Sequence, residues 1–513
     1  NPPYMGGKGM NNDIKYFVHN YFERSKSDLM ACFIERCLSF CSDSGRTGMI
    51  NQHSWMFLSS YEDLRPYLID NFQFESLLHL GPHTFPEIGG EVVQNVAFVF
   101  QKFKPAKNGI YIRLVDFENA QSKDDNALKA IHNHKCEYYY STNQKDFEKI
   151  PGSPIAYWMS KNVRSLFAEH PKLSDIASPR KGNSTSNNAK FLRLWSEVEY
   201  KKIGLNYTSV DDFLIDNRRW LPYNKGGGTR KWYGHNEYLV DWRDNGQEIR
   251  NIPTAVVTNE KFYMKPGLTW STVSSKGFGV RYFDAGYIFD NGGCCLFGIL
   301  NNRDYLAGLM NSKIFPTVLG QLNPTLNFQS GEISKFPIIE KTIENLSSHD
   351  NFVISKEEWD SRETSWDFQQ NELIKQNSNS LKFAFNSFRN YWTEKFYILH
   401  RNQTDLNRQF IEIYGLEHEL RPEVPLQDIT ILQEEVKIEN GKLVFEVLPV
   451  FLQLISYSIG CIFGRYSLDK SGLILANQQE TIEDFLRQIP TPSFLPDEDN
   501  IVPVLEGEFF TND

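Results

Sequence analysis

The chain has 513 residues, a formal net charge of −10 at pH 7, 40% hydrophobic residues and 14% aromatic residues. This length and apolar content predict several folded domains with ample core. Seven cysteines, an odd number in a long chain, are typical of reduced thiols in a cytoplasmic protein. No uninterrupted apolar run reaches the roughly 18 residues that a membrane span needs. The nearest run, VLPVFLQLISYSIGCIFG, predicts a buried core helix, and no membrane partner is expected.

The chain begins with Asn1-Pro2-Pro3-Tyr4, whose residue types suit chemistry on an exocyclic amine. The lone pair of such an amine is delocalised into the base. An Asn side-chain oxygen and a prolyl carbonyl can each accept one of its hydrogens, which localises the lone pair for attack on a methyl group. Two prolines hold these acceptors rigid because each ring restricts φ. An aromatic side chain next to them can stack on a base taken out of the duplex.

The next hundred residues predict alternating helices and strands. After a Gly-rich loop, residues 28–41 have the apolar spacing of a helix, GRTGMINQHSWMF begins as a short strand, and 61–70 predict another helix. FESLLHLG and EVVQNVAFVFQKF predict strands, with Thr84-Phe85-Pro86-Glu87 between them. This order predicts an α/β fold in which residues 1–105 form the second half of a sheet domain.

The order NPPY, helix, strand, helix, FESLLHLG and TFPEIGGEVVQNVAFVFQKF resembles the gamma-class adenine-N6 DNA methyltransferases from their catalytic motif onward. The resemblance implies a Rossmann-like methyltransferase sheet, catalytic roles for Asn1, Pro2, Pro3 and Tyr4, and a base held between Tyr4 and Phe85. It also implies S-adenosyl-L-methionine as cofactor. That site would lie mostly upstream of Asn1, so no cofactor-binding residue is predicted, and the chain is expected to be an internal piece that is inactive alone.

A narrower resemblance extends over nearly the whole chain. PRKGNSTSNNAKFLRLWSEV, WLPYNKGGGTRKWYGHNEYLVDW, TWSTVSSKGFGVRYF and FLQLISYSIGCIFGRYSLDKSGLILAN are similar to segments of the large methyltransferases of the BREX phage-defence system. This similarity implies site-specific adenine methylation that marks host DNA as self. It implies double-stranded DNA and other proteins of the defence system as partners.

The remaining sequence predicts three further regions: a connector at 106–178, an α+β target-recognition domain at 179–340 and a mainly helical spacer at 341–513. Residues 180–281 hold 17 Lys and Arg against 10 Asp and Glu, an excess of seven, which leaves −17 for the rest of the chain. A basic segment within an acidic protein is a plausible footprint for DNA. The predicted DNA-binding residues are Lys225, Arg230, Lys231, Trp232, Tyr233, Lys276 and Arg281.

Two alternatives to a methyltransferase remain open at this point. One is the methylation and recognition part of a combined restriction–modification enzyme, and the other is a non-catalytic DNA-binding defence scaffold. No metal site is predicted. His132-Asn133-His134-Lys135-Cys136 has the residue types of a metal cluster, but no second pair of ligands follows at the spacing of a zinc site.

Overall fold

A computed structural model describes residues 1–85, 93–103, 105–274, 277–322 and 328–497 of the chain. It has two compact units rather than the four predicted regions. Unit 1 contains Asn1–Lys172, Val318–Thr325 and Lys335–Ile338, and unit 2 contains Leu173–Thr317, Leu326–Ser334 and Ile339–Asp513. The predicted recognition domain and helical spacer therefore share most of one unit.

Unit 1 is a mixed α/β structure with one five-stranded sheet. Its helices are α1 (Asn12–Tyr21), α2 (Leu29–Phe40), α3 (Leu64–Asn71), α4 (Ala120–His132) and α5 (Lys161–Glu169). Its strands are β1 (Arg46–Gln52), β2 (Gln73–Gly81), β3 (Asn95–Gln101), β4 (Gly109–Arg113) and β5 (Tyr139–Thr142). The predicted helices at 28–41 and 61–70 correspond to α2 and α3, and helix α1 was not predicted.

The strand order in the sheet is β1-β3-β2-β4-β5. Strand β3 is antiparallel to both β1 and β2, so β1 and β2 run in the same direction and end at the same edge. Strand β4 is parallel to β2, and β5 is antiparallel to β4. Residues 106–178, predicted as a connector, thus supply two strands of this sheet, β4 and β5. The sequence did not reveal this role, because the partner of β4 is β2, which is not its neighbour in the chain.

The two faces of this sheet are covered differently. One face forms the main core of the unit, where Leu77, Phe98 and Phe100 are buried with side chains of α2 and α3. On the other face, a smaller cluster joins Ile112 of β4 to Ala127 and neighbouring residues of α4. Alternation of side chains along each strand explains why every second residue enters each core.

Unit 2 begins with a β-rich part. Its strands are β6 (Ser178–Arg180), β7 (Leu192–Leu194), β8 (Trp220–Asn224), β9 (Tyr238–Asp241), β10 (Gly267–Ser271), β11 (Val280–Phe283), β12 (Ile288–Phe289) and β13 (Gly293–Phe297). Short helices connect them, namely α6 (Leu173–Ile176), α7 (Asn188–Phe191), α8 (Val210–Ile215) and α9 (Gln247–Arg250). The strands form two four-stranded sheets, β11-β10-β13-β6 and β12-β8-β9-β7. Both sheets contribute side chains to one aromatic core.

The later part of the chain is mainly helical, as predicted. Its helices are α10 (Arg303–Asn311), α11 (Ile314–Leu322), α12 (Ser330–Ile333), α13 (Ser348–Asp360), α14 (Leu381–Ile413), α15 (Val447–Ile462) and α16 (Ile482–Gln488). A hairpin, β14 (Val436–Glu439) and β15 (Lys442–Phe445), precedes α15. Helix α14 has 33 residues, and most of its buried side chains recur at intervals of three and four, as expected for a helix with one apolar face.

Helix α15 differs from the prediction of a buried core helix. It buries Val450, Tyr457 and Cys461 on one side, while Leu448, Leu452 and Ile455 on another side are more than half exposed. Within the described part of the chain, no helix combines the length and apolar character that crossing a membrane requires.

Candidate functional site

The first four residues, Asn1–Tyr4, have no regular secondary structure and are held from one side. We call them the corner. Asn1 and Pro3 are exposed, whereas Pro2 and Tyr4 are half-buried. Asp28 fixes the end of the corner, because its Oδ1 accepts hydrogen bonds from the backbone N–H groups of Met5 and Met30, both at 3.0 Å. Asp28 is also the N-cap of α2, so one carboxylate satisfies the helix terminus and anchors the corner.

Tyr4 is fixed by its hydroxyl group. The hydroxyl donates to Oδ1 of Asn95 at 3.2 Å, and the ring packs against the main core of unit 1. Burial, followed by the charge of Asp28, raises the pKa of Tyr4, so the hydroxyl remains protonated and able to donate. Asn95 is itself buried and starts β3, where it pairs with Gln52 of β1 and Gly81 of β2. Tyr4 is therefore tied to the edge at which β1 and β2 end.

Phe85 lies near the same edge of the sheet. It is half-buried and follows the last residue of β2, Gly81, by four positions, so the two Cα atoms are at most about 14 Å apart. The hydroxyl of Thr84 donates to the carbonyl of Gly81 at 2.9 Å and closes the turn between them. Pro86 and Glu87 of the predicted Phe-Pro turn lie outside the described residues.

A cavity of about 400 Å³ opens beside Asn1. It lies on the sheet face opposite the main core, and its lining includes Gly48, Ile50, Ala97 and Val99. These side chains offer apolar contact but no charged group. By themselves they do not fit the ribose hydroxyls and the amino-acid group of S-adenosyl-L-methionine, so we assign no cofactor contact to them.

Two buried histidines beneath this edge were missed by the sequence analysis. Nδ1 of His53, which follows β1, is 2.8 Å from Nε2 of His79 in β2, and Nδ1 of His79 is 3.2 Å from the Tyr157 hydroxyl. Burial, followed by the charge of Arg113, lowers the pKa of His53 to about 4. Burial also lowers the pKa of His79, so both rings are neutral near pH 7. The sequence signal that could have revealed them was His79, a polar residue near the end of the apolar strand predicted at FESLLHLG.

The structure places several predicted DNA-binding residues in the interior of unit 2. Trp232, Tyr233 and Arg281 are buried, so their side chains offer no surface for direct contact with DNA in this fold. Burial lowers the pKa of the Arg281 guanidinium to about 10. Lys231 donates from Nζ to the carbonyl of Asn311 at 2.8 Å, and burial lowers its pKa to about 8. Alternating basic and aromatic residues here reflect a packed strand edge rather than a solvated face.

Arg230 forms a buried ionic contact with the helical part of unit 2. Its Nη2 donates to Oε2 of Glu358 in α13, its Nε donates to the carbonyl of Tyr233 at 2.6 Å, and its guanidinium lies 4.9 Å from the ring of Trp359. Burial disfavours ionisation of Glu358, but the charges of Arg230 and Arg362 outweigh it and lower the pKa. Arg230 therefore links the β-rich part of the unit to its helices.

The remaining predicted DNA contacts have different surroundings. Lys225 is half-buried, with Nζ 5.5 Å from the centre of the Tyr238 ring. Gly226 is required by internal packing, since a Cβ atom there would lie 2.3 Å from the carbonyl oxygen of Gly292. Lys276 lies outside the described residues. Lys225 therefore has partial access to solvent, and it forms no ion pair with any described residue.

Comparisons with known proteins show which proteins the chain is similar to. The family described as Eco57I restriction-modification methylase matches residues 1–85. The chain is 36% identical over its whole length to the adenine-specific methyltransferase PglX of Lacticaseibacillus casei (strain Zhang). It is also 36% identical over its whole length to the adenine-specific methyltransferase BrxX of Escherichia coli O9:H4 (strain HS). The chain spans 42% of the length of each of these curated relatives.

Among solved structures, the chain is similar to the type IIL restriction-modification enzyme MmeI, which was determined in complex with DNA. The similarity covers 81% of this chain and 54% of that chain, with 12% identity and a TM-score of 0.45.

Proposed function

Because this chain is related along its whole length to the adenine-specific methyltransferases PglX and BrxX, we propose that it is the catalytic-loop and target-recognition part of an adenine-N6 DNA methyltransferase. The observation that carries this proposal is the anchored Asn1–Tyr4 corner at the edge where β1 and β2 end. Phe85 lies near the same edge, as a second aromatic wall for a flipped base requires.

In the proposed reaction, Oδ1 of Asn1 and the carbonyl of Pro2 accept the two hydrogens of the adenine N6 amine. Acceptors held in place before the reaction stabilise the developing positive charge on nitrogen without reorganisation. The Tyr4 ring stacks on the flipped base, while its hydroxyl bond to Asn95 fixes the angle of the ring. S-adenosyl-L-methionine supplies the methyl group when it is bound, and residues outside this chain would hold most of it.

Sheet topology supports a Rossmann-like arrangement for unit 1. Strands β1 and β2 are parallel, and the antiparallel strand β3 lies between them. Among the described strands, β1 is the outermost strand on one side of the sheet. The cavity beside Asn1 lies on the sheet face opposite the main core. We propose that further strands pair with β1 in the complete catalytic domain, and that residues 179–340 contain the target reader. A defence role with other proteins rests on the BREX resemblance and remains a proposal.

Methylation mapping tests this function. We expect the protein that contains this chain to add a methyl group to N6 of adenine at one recurring sequence, and Asn1→Ala to abolish this modification while duplex affinity is retained. Equal loss of modification and duplex affinity in Asn1→Ala would contradict the assigned role of the corner. Cleavage of unmodified duplex by the same protein would instead favour a restriction–modification enzyme.

A further inference from the structure

A cluster of cationic side chains surrounds one aromatic ring on unit 2. The guanidinium carbon of Arg180 lies 5.0 Å from the centre of the Phe262 ring, Nζ of Lys261 lies 5.3 Å from it, and Nζ of Lys265 lies 5.8 Å from it. Any two of these charges are therefore at most about 11 Å apart. We call Arg180, Lys261 and Lys265 the Phe262 cluster.

The three charges of the Phe262 cluster lack an ion-pair partner in the part of the chain that the structure describes. Within the ranges of the chain that the structure describes, no carboxylate forms an ion pair with any of its three cations. The neighbouring carboxylate of Glu260 is already occupied, because Arg250 donates to its two oxygens at 3.0 and 2.7 Å. Three positive charges within about one Debye length of each other repel one another, and an anion bound among them would relieve that repulsion.

The backbone that carries the cluster is held in place. Oδ1 of Asn183 accepts from the hydroxyl of Tyr263 at 2.7 Å and from the backbone N–H of Thr258 at 3.0 Å, which ties the two cluster segments together. The Asn259 side chain also donates to the carbonyl of Lys181 at 2.8 Å. Stacking of Phe262 on Phe297, with ring centres 4.9 Å apart, fixes the central ring. The backbone that carries the cations and the ring between them are thus positioned before any ligand binds, which reduces the entropy cost of binding.

We propose that Arg180, Lys261 and Lys265 form a binding site for the backbone phosphates of duplex DNA. This inference rests on the proposed function. It assigns the electrostatic contact with DNA to the Phe262 cluster instead of the buried segment at 230–233. Duplex DNA carries one negative charge per about 1.7 Å of helix axis, so its phosphates can neutralise several cations across this distance. Such contacts position the duplex and carry no sequence information.

The test compares two double variants of the chain that lose the same total charge. The first, Lys261→Gln with Lys265→Gln, removes two cations of the Phe262 cluster. The second, Lys190→Gln with Lys202→Gln, removes two lysines of the same unit that already pair with Glu248 at 2.8 Å and Glu199 at 2.6 Å. Binding to a random-sequence duplex of about 30 base pairs is measured from 50 to 200 mM salt, and thermal melting checks the fold.

We expect the cluster variant to lower the slope of log affinity against log salt by about 1.8, since each phosphate contact contributes about 0.9. The control variant should change this slope by much less. Equal slopes for the cluster variant and the unaltered chain would overturn the site while leaving the proposed function standing. A chain that binds no duplex at any of these salt concentrations would overturn both. Binding of ATP or inorganic phosphate with no binding of duplex would show a free-phosphate site and overturn the DNA assignment.

Discussion

The hydrogen bond between Tyr4 and Asn95 offers a direct test of how the proposed catalytic corner, Asn1–Tyr4, is positioned. Tyr4→Phe keeps the ring for base stacking and removes only the hydroxyl that donates to Asn95 at 3.2 Å. A neutral hydrogen bond contributes about 1 kcal/mol, and a buried acceptor left without a donor costs about 1–3 kcal/mol. Because Asn95 is buried at the start of β3, the second cost applies.

If this hydrogen bond fixes the reactive geometry, its loss should raise the free energy of the transition state by about 1–2 kcal/mol. Since 1.36 kcal/mol changes a rate tenfold, Tyr4→Phe should slow methyl transfer about 5- to 30-fold. Tyr4→Ala should be slower still, because base stacking on an aromatic ring contributes a further 1–3 kcal/mol, roughly. Asn95→Ala should resemble Tyr4→Phe, and combining those two substitutions should add little, since each removes the same bond.

The assay is the single-turnover rate of methyl transfer to a duplex carrying the modified site, measured on the protein that contains this chain. Tyr138→Phe is a matched control, because its hydroxyl donates to Asn126 at 3.1 Å elsewhere in unit 1. It should cost similar stability and leave the rate unchanged. Multiplicative effects of Tyr4→Phe and Asn95→Ala would refute the reasoning, as would a normal rate in Tyr4→Phe.

Three further outcomes are expected. Asn1→Ala should reduce methyl transfer about 100-fold or more, measured by single turnover, while the duplex Kd stays within about twofold. Arg230→Met should lower the free energy of unfolding in urea by up to about 3–5 kcal/mol, because it removes the guanidinium bonded to the buried Glu358 carboxylate and leaves Arg362, 4.0 Å away, as its ionic partner. The salt dependence of DNA binding should stay unchanged. Burial lowers the pKa of His53 to about 4, so between about pH 6.5 and pH 4 this imidazole is protonated in the unfolded chain but neutral in the folded one. The free energy of unfolding of unit 1 should therefore have its full value above about pH 6.5 and decrease by up to about 3 kcal/mol as the pH falls towards 4. His53→Gln should flatten this pH profile in urea titrations followed by tryptophan fluorescence, and an unchanged profile would exclude His53 as its source.

Local sequence was sufficient where one short segment carries the physical signal. The apolar spacing at 28–41 predicted a helix, and the structure has α2 there, with the Asp28 carboxylate as its N-cap. Asn1–Tyr4 suggested the proposed chemistry, because two prolines and flanking acceptors are contiguous. The sequence analysis missed the hairpin at Val436–Phe445. Its Asn440-Gly441 turn was a strong local signal, because these residue types tolerate the positive φ that such turns need, and both residues adopt it.

Tertiary structure decided which charges and polar groups face solvent. Arg230, Lys231 and Arg281 lie in the basic segment that suggested DNA contact, but each is buried or bonded within unit 2. Conversely, Arg180 and Lys265 are 85 positions apart in the chain and meet at one ring only because the fold joins their segments. Charge composition is a sum over the sequence, whereas binding depends on exposure and on the partners that long-range packing brings together. Residue types alone therefore suggested a chemistry, and only the fold shows which of those residues are accessible.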